Sequence, residues 1–198
     1  MHEQKVSGVT AHRVAAFSDG VIAVIMTVMV LELKAPDHSS FSDLWPLWPT
    51  VISYTVSYLF IAIIWINHHY LMWFVVGPPT LKLIWTNFAH LFLVSSLPFA
   101  TAWVARTQLA SAPVAVYAAL FVCVDIAYNV FEREVLAQAH ARQVSDRARR
   151  MARRRSLAVL AIFATAALVA FVAPHFAFAL VCGALLLHLR PEALGSRP

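Results

Sequence analysis

Apolar residues along this chain come in long, nearly unbroken blocks separated by short polar breaks. A block that is hydrophobic on every face belongs in lipid or in the core of a large protein, not against water. A span needs about 20 such residues, with about 17 as a practical lower limit. The first block runs from Val14 to Leu33 and the second from Trp48 to Val76, where Gly77-Pro78-Pro79 is a strong terminator. The third runs from Leu83 to Val104, with Pro98 placed to kink its outer half, and the fourth from Pro113 to Phe131. The last stretch, Leu157 to Leu189, would be about 50 Å long as one helix, too much for a single crossing. A turn at Ala173-Pro174-His175 divides it into 157–173 and 175–189. The pattern predicts an all-α membrane protein with six transmembrane helices in one domain, residues 1–198.

Composition agrees. The chain is 61% hydrophobic and 13% charged, with a mean hydropathy of +0.71. A soluble domain is closer to half apolar and a quarter charged.

Charge then orients the spans. The net charge is +5 and the pI about 9.6, but seven arginines fall between Arg142 and Arg155, between two apolar blocks. That is the pattern of a basic cytoplasmic loop, not of a nucleic-acid groove, and no nucleic-acid partner is expected. With six spans, Lys5, Arg13, Lys82, the arginine cluster, Arg190 and Arg197 share one side, so both termini are expected in the cytoplasm. Cys123 and Cys182 lie inside apolar runs, and neither a zinc-type spacing nor a disulfide framework is present. No metal site or cofactor is expected.

Within the blocks sit polar residues at one depth. Asp19 stands about 9 Å above the cytoplasmic start of the first span, at 1.5 Å per residue. Trp65, Asn67, His68 and His69 fall in the cytoplasmic half of the second span, Trp85, Asn87 and His90 in the first turns of the third, and Asp125 in the fourth. Arg13 and Asp19 lie roughly 120° apart around their helix, so they are poor partners for each other. Each needs partners on other helices, because an unpaired buried charge costs several kcal/mol. Tryptophan N–H, asparagine amide and imidazole are the available donors to Asp19. The layer can be read as interhelical glue or as a proton relay. A metal site is disfavoured, because adjacent histidines on a helix point about 100° apart.

Beyond Asp19, Val24, Thr27, Val28 and Leu31 fall on one helical stripe. By spacing alone, such a stripe is ordinary helix packing.

The motif "RVAAFSD", with Arg13, Phe17, Ser18 and Asp19, resembles the RxxxFSD signature of the transmembrane-protein-175 potassium channels. "GVIAVIMTVMVLELK" is similar to that family's first helix, and "WINHHYLMWF" and "WTNFAHLFLVSSLPF" to its second and third spans. The resemblance is strongest before Thr101. It implies a homotetramer of six-helix subunits in a bacterial plasma membrane, whose first helices line a central pore. Potassium, and other monovalent cations, would be the permeant species. It further implies that Val24, Val28 and Leu31 form the pore constriction and Thr27 a selectivity ring of hydroxyls. Arg13, Phe17, Ser18, Asp19, Trp65, Asn67, His68, His69 and Asn87 would form the structural polar network. Valine at positions 24 and 28 replaces the family's usual isoleucine or leucine, which implies a wider constriction. Glu32, near the outer end of the helix, would attract cations or simply cap a solvated end, with Lys34 weakening its field.

The alternative function is a proton-coupled transporter using Asp19 and nearby histidines as a relay. Such a protein would show internal repeats or a broken helix shared between two halves, and no convincing repeat is present. No GxSxG, zinc spacing or paired catalytic carboxylates suggest an enzyme.

Overall fold

The computed structural model describes residues 9–36, 39–75, 77–138 and 146–188, with side chains in the last segment at 154 and 156–186. Lys5, Val76, Arg142, Leu189, Arg190 and Arg197 lie outside the described residues.

Every regular element among the described residues is helical. The helices are α1 (Ala11–Val30), α2 (Trp48–Met72), α3 (Leu81–Ser95), α4 (Leu97–Arg106), α5 (Ser111–Gln138), α6 (Asp146–Val169) and α7 (Pro174–His188). A short 3-10 helix, Phe41–Leu47, leads into α2. Among the described residues, four helical stretches are long and apolar enough to cross a membrane: Ala11–Val30, Phe41–Met72, Leu81–Arg106 and Ser111–Gln138. The apolar parts of α6 and α7, Ser156–Val169 and Pro174–Leu186, are shorter.

The helix ends differ from the edges of the apolar blocks for local reasons. α1 stops at Val30 and continues to Leu33 as a tighter turn, with Leu31, Glu32 and Leu33 bonding back three residues. α2 stops at Met72, before Gly77-Pro78-Pro79, because Trp73, Phe74 and Val75 also bond three residues back. α5 runs seven residues past Phe131, since Glu132, Arg133 and Glu134 end the apolar run without ending the helix.

The third span breaks between α3 and α4. Pro98, in the first turn of α4, has no N–H to give to Val94. The Ser96 amide moves to Leu93, and the Ser95 and Ser96 hydroxyls donate to the carbonyl of Phe92.

α5 is the hub, packed on α3, α4, α6 and α7. α1 lies at one edge, against α2, α3 and α4, while the α6–α7 pair covers the far side of α5. The core has two apolar parts. The larger includes Ile22, Ile25, Met29, Phe60, Ile64, Leu91 and Phe121, and the smaller Val14, Leu71, Leu83, Phe131 and Val135. Between them Ser18 separates Val14 from Ile22, His68 separates Leu71 from Ile64, and Asn87 separates Leu83 from Leu91. A buried polar layer therefore crosses α1, α2 and α3 at one level.

Candidate pore helix and polar layer

The polar layer is a directed chain of hydrogen bonds. The Ser18 hydroxyl donates to the Val14 carbonyl at 2.9 Å and accepts from Asn87 Nδ2 at 2.9 Å. Asn87 Oδ1 lies 2.8 Å from His68 Nε2. Because an amide oxygen only accepts, the network assigns the proton of this contact to Nε2. All three side chains are buried, and together they join α1, α3 and α2. His68 also stacks on Phe131 of α5, at 5.1 Å between ring centres. His90 lies parallel to the same ring and tilted against Tyr128. Buried polar groups must be matched, so such a layer fixes the register of the helices it joins.

Asp19 stands one residue from Ser18 and faces the edge of the subunit, where Trp65 Nε1 donates to its Oδ1 at 2.9 Å. Tryptophan N–H is thus the donor found for Asp19. Arg13 is exposed, and no salt bridge joins it to another described residue. Phe17 is exposed on α1 and meets Phe88 of α3 edge-on at 5.4 Å. His69 is exposed beside Trp65, pointing away from buried His68. Asn67 is half-buried and has no hydrogen bond to another described residue. The structure therefore brings Ser18, Asn87 and His68 together, joins Asp19 to Trp65, and leaves Arg13, Phe17, Asn67 and His69 outside these bonds.

The two faces of α1 differ sharply. Val14, Ser18, Ile22, Ile25 and Met29 are buried against the neighbouring helices. Val24, Thr27, Val28 and Leu31 are exposed, with Leu31 at 76%. None of the described helices covers this stripe. The Thr27 hydroxyl donates to its own Val24 carbonyl at 2.8 Å. Its proton is therefore occupied, and its oxygen lone pairs face outward. Leu31 sits one residue past the helix proper, in the tightened turn.

At the far end of α1, Glu32 Oε2 accepts from Arg106 Nη2 of α4 at 2.8 Å. The partner of Glu32 is Arg106, not Lys34, and the pair neutralises the carboxylate next to the exposed stripe.

Two further contacts lay beyond sequence reasoning. The Ser57 hydroxyl lies 2.7 Å from both Thr101 Oγ1 and Tyr117 Oη, a buried cluster tying α2, α4 and α5. Lys82 of α3 pairs with Glu134 of α5 at 2.6 Å. Single hydroxyls inside apolar runs carry no periodic signal, so nothing in the sequence singled out the first.

Comparison with known proteins gives one consistent answer. The profile described as "Endosomal/lysosomal potassium channel TMEM175" matches residues 13–98. A potassium channel of Chryseobacterium sp. (strain P1-3) is 39% identical over 127 residues, covering 64% of this chain and 66% of that one. A potassium channel of Chamaesiphon minutus is 33% identical over 145 residues, covering 68% of this chain and 71% of its own length. One from Streptomyces collinus is 35% identical over 125 residues, and 60% of it is covered. The matches thus span about two thirds of these relatives. Among solved structures, a lysosomal potassium-selective channel TMEM175 homolog from Chamaesiphon minutus superposes with a TM-score of 0.78 at 27% identity, over 91% of this chain and 97% of that one. With its all-helical, largely apolar architecture, this chain is an integral membrane protein that belongs to the TMEM175 family, a family of potassium channels and not of enzymes.

Proposed function

We propose that four copies of this chain form a homotetramer in a bacterial plasma membrane, with both termini in the cytoplasm. It conducts potassium passively along the central axis, needs no cofactor, and admits other monovalent cations less readily. The α1 helices line the pore. Val24, Val28 and Leu31 form apolar rings that gate by dewetting, and Thr27 contributes a ring of hydroxyl oxygens that partly replaces the ion's hydration shell.

The observation that carries this reading is the uncovered stripe on α1. Its opposite face is fully used in packing, so the stripe is free for water, lipid or another subunit. The Thr27 hydroxyl supports a cation over an anion, since its proton is already donated to Val24. The buried Ser18–Asn87–His68 chain favours a structural role for the polar layer over a relay, because its bonds join helices instead of lining an open path.

Liposomes containing the purified chain decide the matter. Potassium efflux should exceed sodium efflux, and Thr27→Val should reduce that preference more than total flux. The change is close to isosteric and deletes the only hydroxyl on the stripe. Absence of flux, or unchanged selectivity in a tetramer of normal stability, would overturn the assignment.

A further inference from the structure

A cavity of about 230 Å³ opens between the ends of three helices, at the end of the subunit opposite the arginine-rich start of α6. Glu32 and Lys34, after α1, and Arg106 and Gln108, at the end of α4, stand at its mouth. Its floor reaches Thr50, Ser53 and Tyr54 in the first two turns of α2 and Thr101 in the middle of α4. Ser53 and Thr101 are buried. The polar groups of this lining are unevenly matched. Ser53 donates to the Thr50 carbonyl, Thr101 to that of Leu97, and Arg106 to Glu32. The side chains of Lys34, Thr50, Tyr54 and Gln108 make no hydrogen bond to another described residue, and all four can donate. Lys34 and Arg106 stand against one carboxylate, and that carboxylate is already paired. The lining therefore favours a negatively charged, acceptor-rich group over a cation.

The turn after α4 is fixed so as to hold Gln108 at this mouth. Gln108 and Leu109 have φ of 52° and 61°, left-handed values that non-glycine residues keep only where packing imposes them. Leu109 is buried, and its amide donates to the Val104 carbonyl at 3.1 Å. The level is that of a membrane surface. Trp45, Trp48 and Trp103 are exposed at the same end, and tryptophan concentrates where headgroups lie. One turn further in along α2 the surface is apolar, with Tyr58 in ring contact with Tyr54 at 5.8 Å and Leu59 exposed beside it. The cavity is smaller than the about 300–1,000 Å³ that holds a drug-sized ligand, so it admits one polar headgroup and not the chains attached to it.

We propose that this cavity binds the phosphate-bearing headgroup of a phospholipid. Lys34, Gln108 and the remaining N–H groups of Arg106 meet the phosphate oxygens, and the acyl chains stay outside, against Tyr58 and Leu59 of α2. This rests on the chain being a membrane protein and not on what it conducts.

Thiol protection tests it, using the full chain with Cys123→Ala, Cys182→Ala and Ala102→Cys in maltoside detergent. Ala102 lines the cavity and is half-buried. Methyl methanethiosulfonate should modify Ala102→Cys, and dihexanoyl phosphatidylglycerol should slow that reaction. Neither dihexanoylglycerol, which lacks the phosphate, nor inorganic phosphate should slow it at equal concentration. Lys34→Gln combined with Gln108→Ala changes two exposed positions and should leave the unfolding temperature unchanged. It should raise the protecting concentration about tenfold or more, the loss expected for a hydrogen bond to a charged group. Equal protection by dihexanoylglycerol would show that the phosphate is not recognised, and protection by inorganic phosphate would make the cavity a site for free anions. Either result overturns the proposal. Protection unaltered in the combined variant overturns it too, since lipid would then cover the cavity without entering it. Should Ala102→Cys fail to fold, Leu33→Cys on the exposed rim carries the same measurement, and no protection at the position used refutes the site.

Discussion

Trp65 Nε1 donates to Asp19 Oδ1 across 2.9 Å, a hydrogen bond from α2 to the edge helix α1 beside the buried layer. Asp19→Ala leaves the indole N–H without its acceptor. We expect a loss of roughly 1 kcal/mol, at the lower end for an unmatched donor because Trp65 is 41% exposed. Asp19→Asn keeps an acceptor oxygen and should retain most of the stability. Thermal unfolding in detergent distinguishes the two, and equal losses would show that the bond contributes little.

Asn87 is the more demanding position, because it serves both Ser18 and His68 in full burial. Asn87→Ala leaves the buried His68 Nε2 unmatched at about 1–3 kcal/mol, while Ser18 keeps its bond to Val14, and it also removes buried side-chain volume. Its unfolding temperature should fall further than that of Asp19→Ala. The reverse order would mean that the layer is relieved by some other route.

Leu31→Ala removes apolar bulk from the outermost position of the stripe without touching the buried face of α1. In the pore reading it lowers the dewetting barrier, so cation flux should rise while oligomer stability holds. Reduced stability with unchanged flux would assign Leu31 to packing between subunits.

Arg106→Ala releases the Glu32 carboxylate. The pair is substantially exposed, at 64% and 34% of the side chains, so its stability contribution should be below about 1 kcal/mol. The freed charge would instead raise cation conductance at low ionic strength. That gain should vanish in 1 M salt, where screening extends only about 3 Å. Conductance measured at both ionic strengths checks the sign and its salt dependence.

Much of this architecture was legible in the sequence, because lipid leaves two strong marks. Span-length apolar blocks locate the crossings, and isolated polar residues inside them must find one another. Asp19 and the group Trp65, His68 and Asn87 could therefore be placed at one depth before any coordinates. What the sequence did not reveal depends on rotation about the helix axes. Depth alone does not say that His68 turns inward while Asn67 is half-buried and His69 faces out. Nor does it say that Glu32 reaches Arg106 in place of nearby Lys34. Ser57, Thr101 and Tyr117 meet only because α2, α4 and α5 pack in one register, and that register is set by apolar side chains whose pattern is nearly the same on every face. Helix ends were also hidden, since hydropathy reports where lipid stops and not where α-helical bonding does.

The two attachments of α1 make the stretch from Asp19 to Glu32 a beam pinned at both ends. One pin is the Ser18 and Asp19 pair of contacts, the other the Glu32–Arg106 bridge, and about 20 Å of helix lies between them. Over that length, among the described residues, apolar contacts of Ile22, Ile25 and Met29, with Val21 and Met26 beside them, hold it. Such contacts are non-directional, and their strength follows buried area rather than angle. Small bowing or twisting of the mid-section therefore breaks no hydrogen bond, whereas tilting the whole helix breaks one set of pins. Val24, Thr27 and Val28 occupy the compliant middle, where a displacement of a fraction of an ångström alters the exposed stripe at little cost to the fold.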